Sequence, residues 1–439
     1  MSRMPELEPC HRFHPFCARF PSNIVEDALS TYTEPGDSIF DPFCGSGTTL
    51  VAGLAHGRRV AGSDIDVLAG MLTELKCQPH SFEHYARWRQ NLEARLIDAF
   101  VEIERAWPTI SSISPGLDVE IGRLQVHIPS FPELNYWFPP RLTIALATIA
   151  EVARRCRDSH YERVALLSLS ACIISKWPNT LSYAMDIDHT RPHRRVQRFT
   201  LDRILETYLA RLDRTIECLA ALHELFDRAG MSKQLANSSG VFYPHDARQV
   251  LPAILDESQA LVMTSPPYFN AVDYPRAHRM SLCWMNGYAP ADLASRREYL
   301  GLRRAADFIA RDWLSSRPEV RRLIPRKIRE RPSLERNLTA FLADLEAVLN
   351  QAFRVLRPGS HAVFVIANNV IGGERIRTHA ALEQLARGIG FNTLKTRLRK
   401  IDRQRRRFPV GPFGFDGPMT NEFAVVLVKP ESKRRPSQG

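Results

Sequence analysis

The 439-residue chain predicts an α/β architecture: an open, mainly parallel sheet with helices on both faces, interrupted by a long helical insertion and by a second, basic one. Three observations carry that expectation. A strand candidate, Ser38-Ile-Phe-Asp41, passes through Pro42-Phe-Cys-Gly-Ser-Gly47 into a helix-like run from Thr48, and Arg59-Val-Ala-Gly-Ser-Asp64 follows as a second strand; strand, turn, helix and strand in that order build parallel sheets. A buried-strand run, Ala260-Leu-Val-Met263, ends at Thr264-Ser-Pro-Pro-Tyr268. From Leu338 to Val428 helix and strand patterns alternate again.

Composition narrows the class. Apolar residues make up 44% of the chain, enough for a substantial core. No apolar run of about 18 residues occurs, and Met1-Ser-Arg-Met-Pro-Glu lacks the apolar centre of a signal peptide. A soluble, cytoplasmic protein with no membrane partner is expected. The eight cysteines are scattered, without a C-x-x-C pair or a nearby histidine pair, so reduced thiols and no metal site are expected. Lys and Arg exceed Asp and Glu by 59 to 48, for a net charge of +11. That excess favours a polyanionic partner such as nucleic acid.

Each element has a local reason. Phe13-His-Pro-Phe-Cys-Ala-Arg-Phe-Pro21 leads into an amphipathic stretch, Asn23 to Tyr32. The helix from Thr48 stops at Gly57. A strand, a glycine turn and a helix start bring backbone close to a ligand. Three cofactor readings compete there. A dinucleotide fingerprint counted from Gly45 has Leu50 where its third glycine belongs, and a P-loop lacks its lysine after Gly47. The third is an S-adenosylmethionine site, with the glycine backbone near the amino-acid end of the donor and Asp64, at the end of the second strand, taking the ribose hydroxyls. A glycine turn without a ligand stays open as the alternative.

Residues 77–235 read as helical. Glu83 to Trp107, Arg141 to Cys156 and Arg163 to Trp177 have helical patterns, and Leu201 to Ala229 is the clearest helix, with Thr200 as its cap and Gly230 as its stop. In the loop from Ser182, Arg194 and Arg195 are candidate nucleic-acid contacts, against the ordinary alternative of a solvated surface. The sheet resumes at Gly240, and Asp246 falls at a strand end where a carboxylate can accept from an adenine amino group.

The stiff turn after Met263 is the chemical centre. Two prolines cannot continue a β-ladder, and the turn presents the Ser265 hydroxyl, the Ser265 and Pro266 carbonyls and the Tyr268 ring above the sheet, with Pro267 fixing the backbone. Acceptors beside an aromatic face suit a nucleobase with an exocyclic amino group; the plain alternative is a proline-rich loop closing a strand. Residues 271–335 are dense in arginine, and Arg326, Lys327 and Arg329 are candidate phosphate contacts or, equally, a solvated face. A helix from Thr339 to Leu356, the turn Arg357-Pro-Gly-Ser, a strand from Ala362, a helix from Thr378 to Ile389, and strands Thr393 to Leu398 and Glu422 to Val428 complete the pattern.

Asp41-Pro-Phe-Cys-Gly-Ser-Gly-Thr-Thr together with Thr264-Ser-Pro-Pro-Tyr-Phe-Asn-Ala-Val-Asp-Tyr274 resembles the S-adenosylmethionine-dependent DNA amino-methyltransferases, which modify N4 of cytosine or N6 of adenine. The resemblance covers residues 13–76, 240–275 and 336–428. It implies a Rossmann-like methyltransferase sheet, with Phe20 and Pro21 near the methionine end of the donor and Asp41, Pro42, Phe43, Gly45, Gly47, Thr48, Asp64 and Asp246 around it. The third strand end, His245-Asp-Ala-Arg248, departs from the family, which often has glycine where His245 stands. The implied division is a donor-binding part (1–76), a helical insertion for target recognition (77–235), the catalytic strand and turn (236–275), a basic insertion (276–335), the rest of the sheet (336–430) and a disordered tail (431–439). Direct methyl transfer to an amino nitrogen is implied, with Ser265 and the Pro266 carbonyl accepting the amino hydrogens, Tyr268 stacking on the base, and a duplex base flipped out. Serine at position 265 favours N4 of cytosine over N6 of adenine. RNA base methylation and an inactive binding subunit are the other classes, and a cognate restriction endonuclease is a candidate partner.

Overall fold

The computed structural model describes residues 4, 6–16, 19, 21–110, 113–131, 134–174, 180–183, 199–231, 241–269, 273–286, 299–300, 310–371, 373–400 and 421–431. Seven strands make the main sheet: β1 (Ser38–Asp41), β2 (Arg59–Asp64), β3 (Phe242–Pro244), β4 (Gln259–Thr264), β5 (Leu356–Ala367), β6 (Asn392–Lys400) and β7 (Asn421–Val428). Their spatial order is β6-β7-β5-β4-β1-β2-β3. The strands β3, β2, β1, β4 and β5 pair in parallel, and β7 lies antiparallel to both its neighbours. The sheet is the Rossmann-like α/β arrangement expected from the sequence. From β1 the chain steps outward one way to β2, while β4 pairs on the other flank of β1, so the carboxyl ends of β1 and β4 flank the point where strand order reverses. Open α/β sheets bind ligands in that crevice.

The helices that flank the first strands are α1 (Ser22–Tyr32), α2 (Thr48–Ala55) and α3 (Val67–Cys77). Gly47 precedes α2 with φ +80°, and a side chain there would bring its Cβ to 2.9 Å from Thr73 Oγ1. Both conformation and space therefore demand glycine. On one face of the sheet α1 and α2 pack with Leu222, Leu225 and Phe226; on the other, α9 (Pro332–Val355) and α10 (Thr378–Ile389) cover Val262, Phe364 and Leu427.

The helical insertion has its own core, built by α4 (Phe82–Ala106), α5 (Pro140–Arg154), α6 (Ser159–Ile173) and the first part of α7 (Leu201–Arg228). At 28 residues α7 is roughly 42 Å long. Its early apolar residues, Leu201 to Leu219, enter the insertion core, and its last ones enter the sheet core, so one helix ties the two together. Thr200 caps it by accepting from the Arg203 amide, as the sequence suggests.

Three details differ from expectation. The insertion also holds a hairpin, Asp118–Ile121 with Leu124–His127, whose short strands carry too few alternating apolar residues to stand out. Arg357–Ser360 is an excursion within β5, not a free turn: β4 advances two residues, Gln259 to Leu261, while β5 advances five, Leu356 to His361. The basic stretch before α9 contributes Trp313, Leu314, Val320, Ile324 and Ile328 to the core against α9. It belongs to that packed layer as much as to the surface. No helix among the described residues is long and apolar enough to cross a membrane.

Candidate active site

The sheet geometry brings the glycine loop and the Ser-Pro-Pro-Tyr turn together. Asp41, at the end of β1 and fully buried, accepts from Thr264 Oγ1 at 2.6 Å and from the Phe43 amide at 3.0 Å. One carboxylate therefore joins two motifs that lie 223 residues apart. Burial pushes the Asp41 carboxyl up to about 6, against the pull of those hydrogen bonds.

A cavity opens between them. It is lined by Phe16, Arg19, Phe43, Cys44, Gly45, Ser46, Thr48, Asp64, Ile65, Asp66, Ser265, Pro267, Tyr274, Tyr299 and Leu300, and encloses about 650 Å³ of empty space with its open mouth included. Asp64 enters at the end of β2, its Oδ2 accepting from the Gly45 amide at 2.9 Å and its Oδ1 from the Asp66 amide at 3.0 Å. The carboxylate thus fixes the loop and the β2–α3 junction. Burial, with Asp66 adding to it, pushes the Asp64 carboxyl up to about 7. Asp66 behaves oppositely: burial alone would raise it, but His278, together with the hydrogen bonds from the Ala69 amide and Tyr299, holds it below the usual carboxylate range. Beneath the loop, Lys76 donates to the Ser46 carbonyl at 2.8 Å, and burial lowers its ammonium to about 7.

On the other side of the cavity, Ser265 Oγ donates to the Val365 carbonyl at 3.1 Å. Its proton is directed into the sheet, leaving oxygen lone pairs as acceptors. Tyr268 follows the lining residue Pro267, and its hydroxyl donates to Glu422 Oε1 at 3.3 Å. Burial, then Glu422, push its phenol well above its ordinary value.

Of the residues singled out in the sequence, Phe43, Gly45, Thr48, Asp64, Ser265 and Pro267 line the cavity. Asp41, Pro42 and Gly47 support it from behind: Pro42 accepts from Ser63 Oγ at 3.2 Å. Pro21 is the N-cap residue of α1, and Pro266 sits between the two lining residues of the turn. The Asp246 carboxylate accepts from the Arg248 side chain and amide, in a network with Asp344, and it is not among the cavity-lining residues. Arg326 and Lys327 are exposed and ion-paired, with Glu330 at 2.6 Å and Glu374 at 2.9 Å. Arg329 lies in the same short helix. Phe20, Arg194 and Arg195 lie outside the described residues.

Sequence reasoning missed Asp66, Tyr299 and Leu300. Asp66 had one signal, its position just before a helical run, where it caps α3 by accepting from the Ala69 amide. Phe16, Arg19 and Tyr274 fell within quoted segments without being singled out.

The cavity lies at the switch point of the sheet, with a glycine loop on one wall and hydrogen-bond acceptors on the other, where open α/β sheets bind their ligands. Residues 4–68 match the family model described as DNA methylase. The type II methyltransferase M.MvaI of Kocuria varians is 23% identical over 441 residues, covering 96% of this chain and 91% of the relative. M.BsoBI of Geobacillus stearothermophilus is 22% identical, covering 90% and 81%. Among solved structures, a putative DNA modification methylase from Thermus thermophilus, complexed with S-adenosyl-L-methionine, is 20% identical with a TM-score of 0.23; the match covers 44% of this chain and 54% of that one. The family match at residues 4–68 and the likeness to type II methyltransferases along most of the chain together support an S-adenosylmethionine-dependent amino-methyltransferase of the DNA N4/N6 kind.

Proposed function

We propose that this protein methylates the exocyclic amino group of a base in double-stranded DNA, N4 of cytosine in preference to N6 of adenine, and that the cavity between the glycine loop and Ser265 is where donor and base meet. The carrying observation is that one cavity has both motifs on its walls, with Asp41 and Thr264 joined at 2.6 Å behind it.

The residues present fit the donor. Asp64 offers a half-buried carboxylate for ribose hydroxyls, Phe16, Phe43 and Tyr274 offer apolar walls, and Gly45 and Ser46 give close backbone approach. When bound, S-adenosylmethionine supplies an electrophilic methyl group. The chain's own contribution is position and electrostatics. An exocyclic amine is a poor nucleophile because its lone pair is delocalised into the ring. Ser265 Oγ and the Pro266 carbonyl, accepting the amino hydrogens, would draw that pair out of conjugation and aim it into the cavity, and the amine gives up one proton to solvent as it gains the methyl. The bond to Val365 directs the serine hydroxyl so that it accepts, not donates. Tyr268, tethered through Glu422, would hold the base by its ring. A base within a duplex reaches such a turn only by flipping.

Serine at 265 supports cytosine. A hydroxyl is shorter than the carboxylate or amide common at this position in the adenine enzymes. The basic charge excess, Arg326, Lys327 and Arg329 would supply phosphate contacts, with Arg194 and Arg195 as further candidates. A cognate restriction endonuclease is the protein partner this reading predicts, and the cytoplasm its compartment. Sequencing DNA from cells expressing the protein, with detection of modified bases, should reveal N4-methylcytosine at one recurrent sequence context. Unmodified DNA beside modified RNA would redirect the assignment.

A further inference from the structure

Part of the donor cavity's wall comes from beyond the Ser-Pro-Pro-Tyr turn. Tyr274 begins α8 (Tyr274–Asn286), Tyr299 and Leu300 lie further along, and all three line the cavity together with Phe16. Both pieces converge on one carboxylate of the donor half. Asp66 Oδ2 accepts from His278 Nδ1 at 2.9 Å and from the Tyr299 hydroxyl at 3.2 Å, while Oδ1 accepts from the Ala69 amide at 2.9 Å. His278 is one helical turn from Tyr274 on α8, so the two share a face. Its ring packs 5.0 Å from Phe16 and 5.9 Å from Tyr274. Asp66 and His278 are only 3% and 2% exposed. Water therefore screens the pair weakly.

Capping α3 explains one oxygen of Asp66 and no more. Serine or asparagine caps a helix as well as aspartate. The second oxygen faces two donors, both supplied by chain that follows the catalytic turn. A charged acceptor shared between them is what holds Tyr274 and Tyr299 at the cavity.

We propose that Asp66 is a positioning residue of the donor site, anchoring α8 and Tyr299 to the β2–α3 junction so that the far wall of the cavity is assembled before donor arrives. This rests on the donor reading given above. Donor affinity would then depend on a carboxylate that acts through His278 and Tyr299.

Calorimetry of S-adenosylmethionine binding to the full chain without DNA tests this, together with hydrogen exchange along α8. Asp66→Asn keeps the capping oxygen but gives up the charge shared by His278 and Tyr299; it should weaken donor binding about tenfold or more and speed exchange in α8 even without donor. His278→Gln, which attacks the same interaction from the other end, should do likewise, and the double variant should be little worse than either single one. Tyr299→Phe should cost about threefold. The proposal is overturned if wild type binds donor while Asp66→Asn and His278→Gln bind as tightly with unchanged exchange in α8. Should Asp66→Asn not fold, His278→Gln and Tyr299→Phe decide by the same criteria. A wild-type chain that binds no donor would defeat the functional reading and this inference with it.

Discussion

The two walls of the cavity are built in opposite ways. The donor wall comes largely from one contiguous stretch, Asp41 to Asp66, whose glycine conformations, amide-to-carboxylate bonds and helix starts are set by neighbouring residues. The acceptor wall borrows its geometry from distant strands. Ser265 is oriented by Val365, Tyr268 by Glu422, and the Phe269 carbonyl accepts from Asn369 at 2.5 Å. The donor wall should thus respond to changes within itself and, through Asp66, at His278 and Tyr299, while the acceptor wall should respond to β5 and β7.

Substitutions on each wall probe that contrast. The largest effect is expected at Ser265: Ser265→Ala should lower kcat by about a hundredfold or more and leave donor affinity unchanged, as single-turnover rates beside calorimetry would show. If donor affinity falls as far as rate, the walls are not separable. Asp64→Ala is the converse, weakening donor binding roughly tenfold to a hundredfold with a smaller change in rate at saturating donor. Tyr268→Phe and Glu422→Gln should each slow the reaction by about tenfold or less, and their combination should fall short of the product of the two. Full multiplicativity would mean that Glu422 does not act through Tyr268.

Acidity gives a subtler test. Burial raises Asp64 to about 7 in the folded chain, above its unfolded value. Its contribution to stability is therefore complete below the unfolded pKa and is lost as pH rises through about 7. Asp64→Asn has no such loss, so its melting temperature should gain on wild type between pH 5 and pH 8. Donor affinity runs the other way: the ribose hydroxyls need an ionised acceptor, so wild-type affinity should increase with pH across the window around 7 and the Asn variant should not follow it. Parallel pH profiles for the two proteins would remove Asp64 from the donor site. The smallest effect is expected at Arg326 and Lys327, because Glu330 and Glu374 already share their charge. Replacing both should flatten the dependence of log DNA affinity on log salt by at most about one unit for each phosphate no longer neutralised.

The same contrast explains what the sequence disclosed. Glycine at 45 and 47, the strand before them and the acid after them are local signals, and the donor wall was legible from them. The Thr264 to Tyr268 turn was legible because two prolines after an apolar run have few uses. What held these residues was not legible. Nothing near Asp41 points to Thr264, and nothing near Asp66 points to His278 or Tyr299, because such pairings are made by topology. Nor does the strand-end position of Asp246 disclose that Arg248 binds its carboxylate. The hairpin at residues 118–127 was missed because four-residue strands leave almost no periodicity.

Whether donor and base meet between the glycine loop and Ser265 is decided by incubating the full chain with methyl-labelled S-adenosylmethionine and duplex DNA, then digesting the DNA to nucleosides. Wild type should place label in N4-methyldeoxycytidine, and Ser265→Ala should place almost none. Label solely in N6-methyldeoxyadenosine would contradict the cytosine assignment, and full labelling by Ser265→Ala would contradict the site itself.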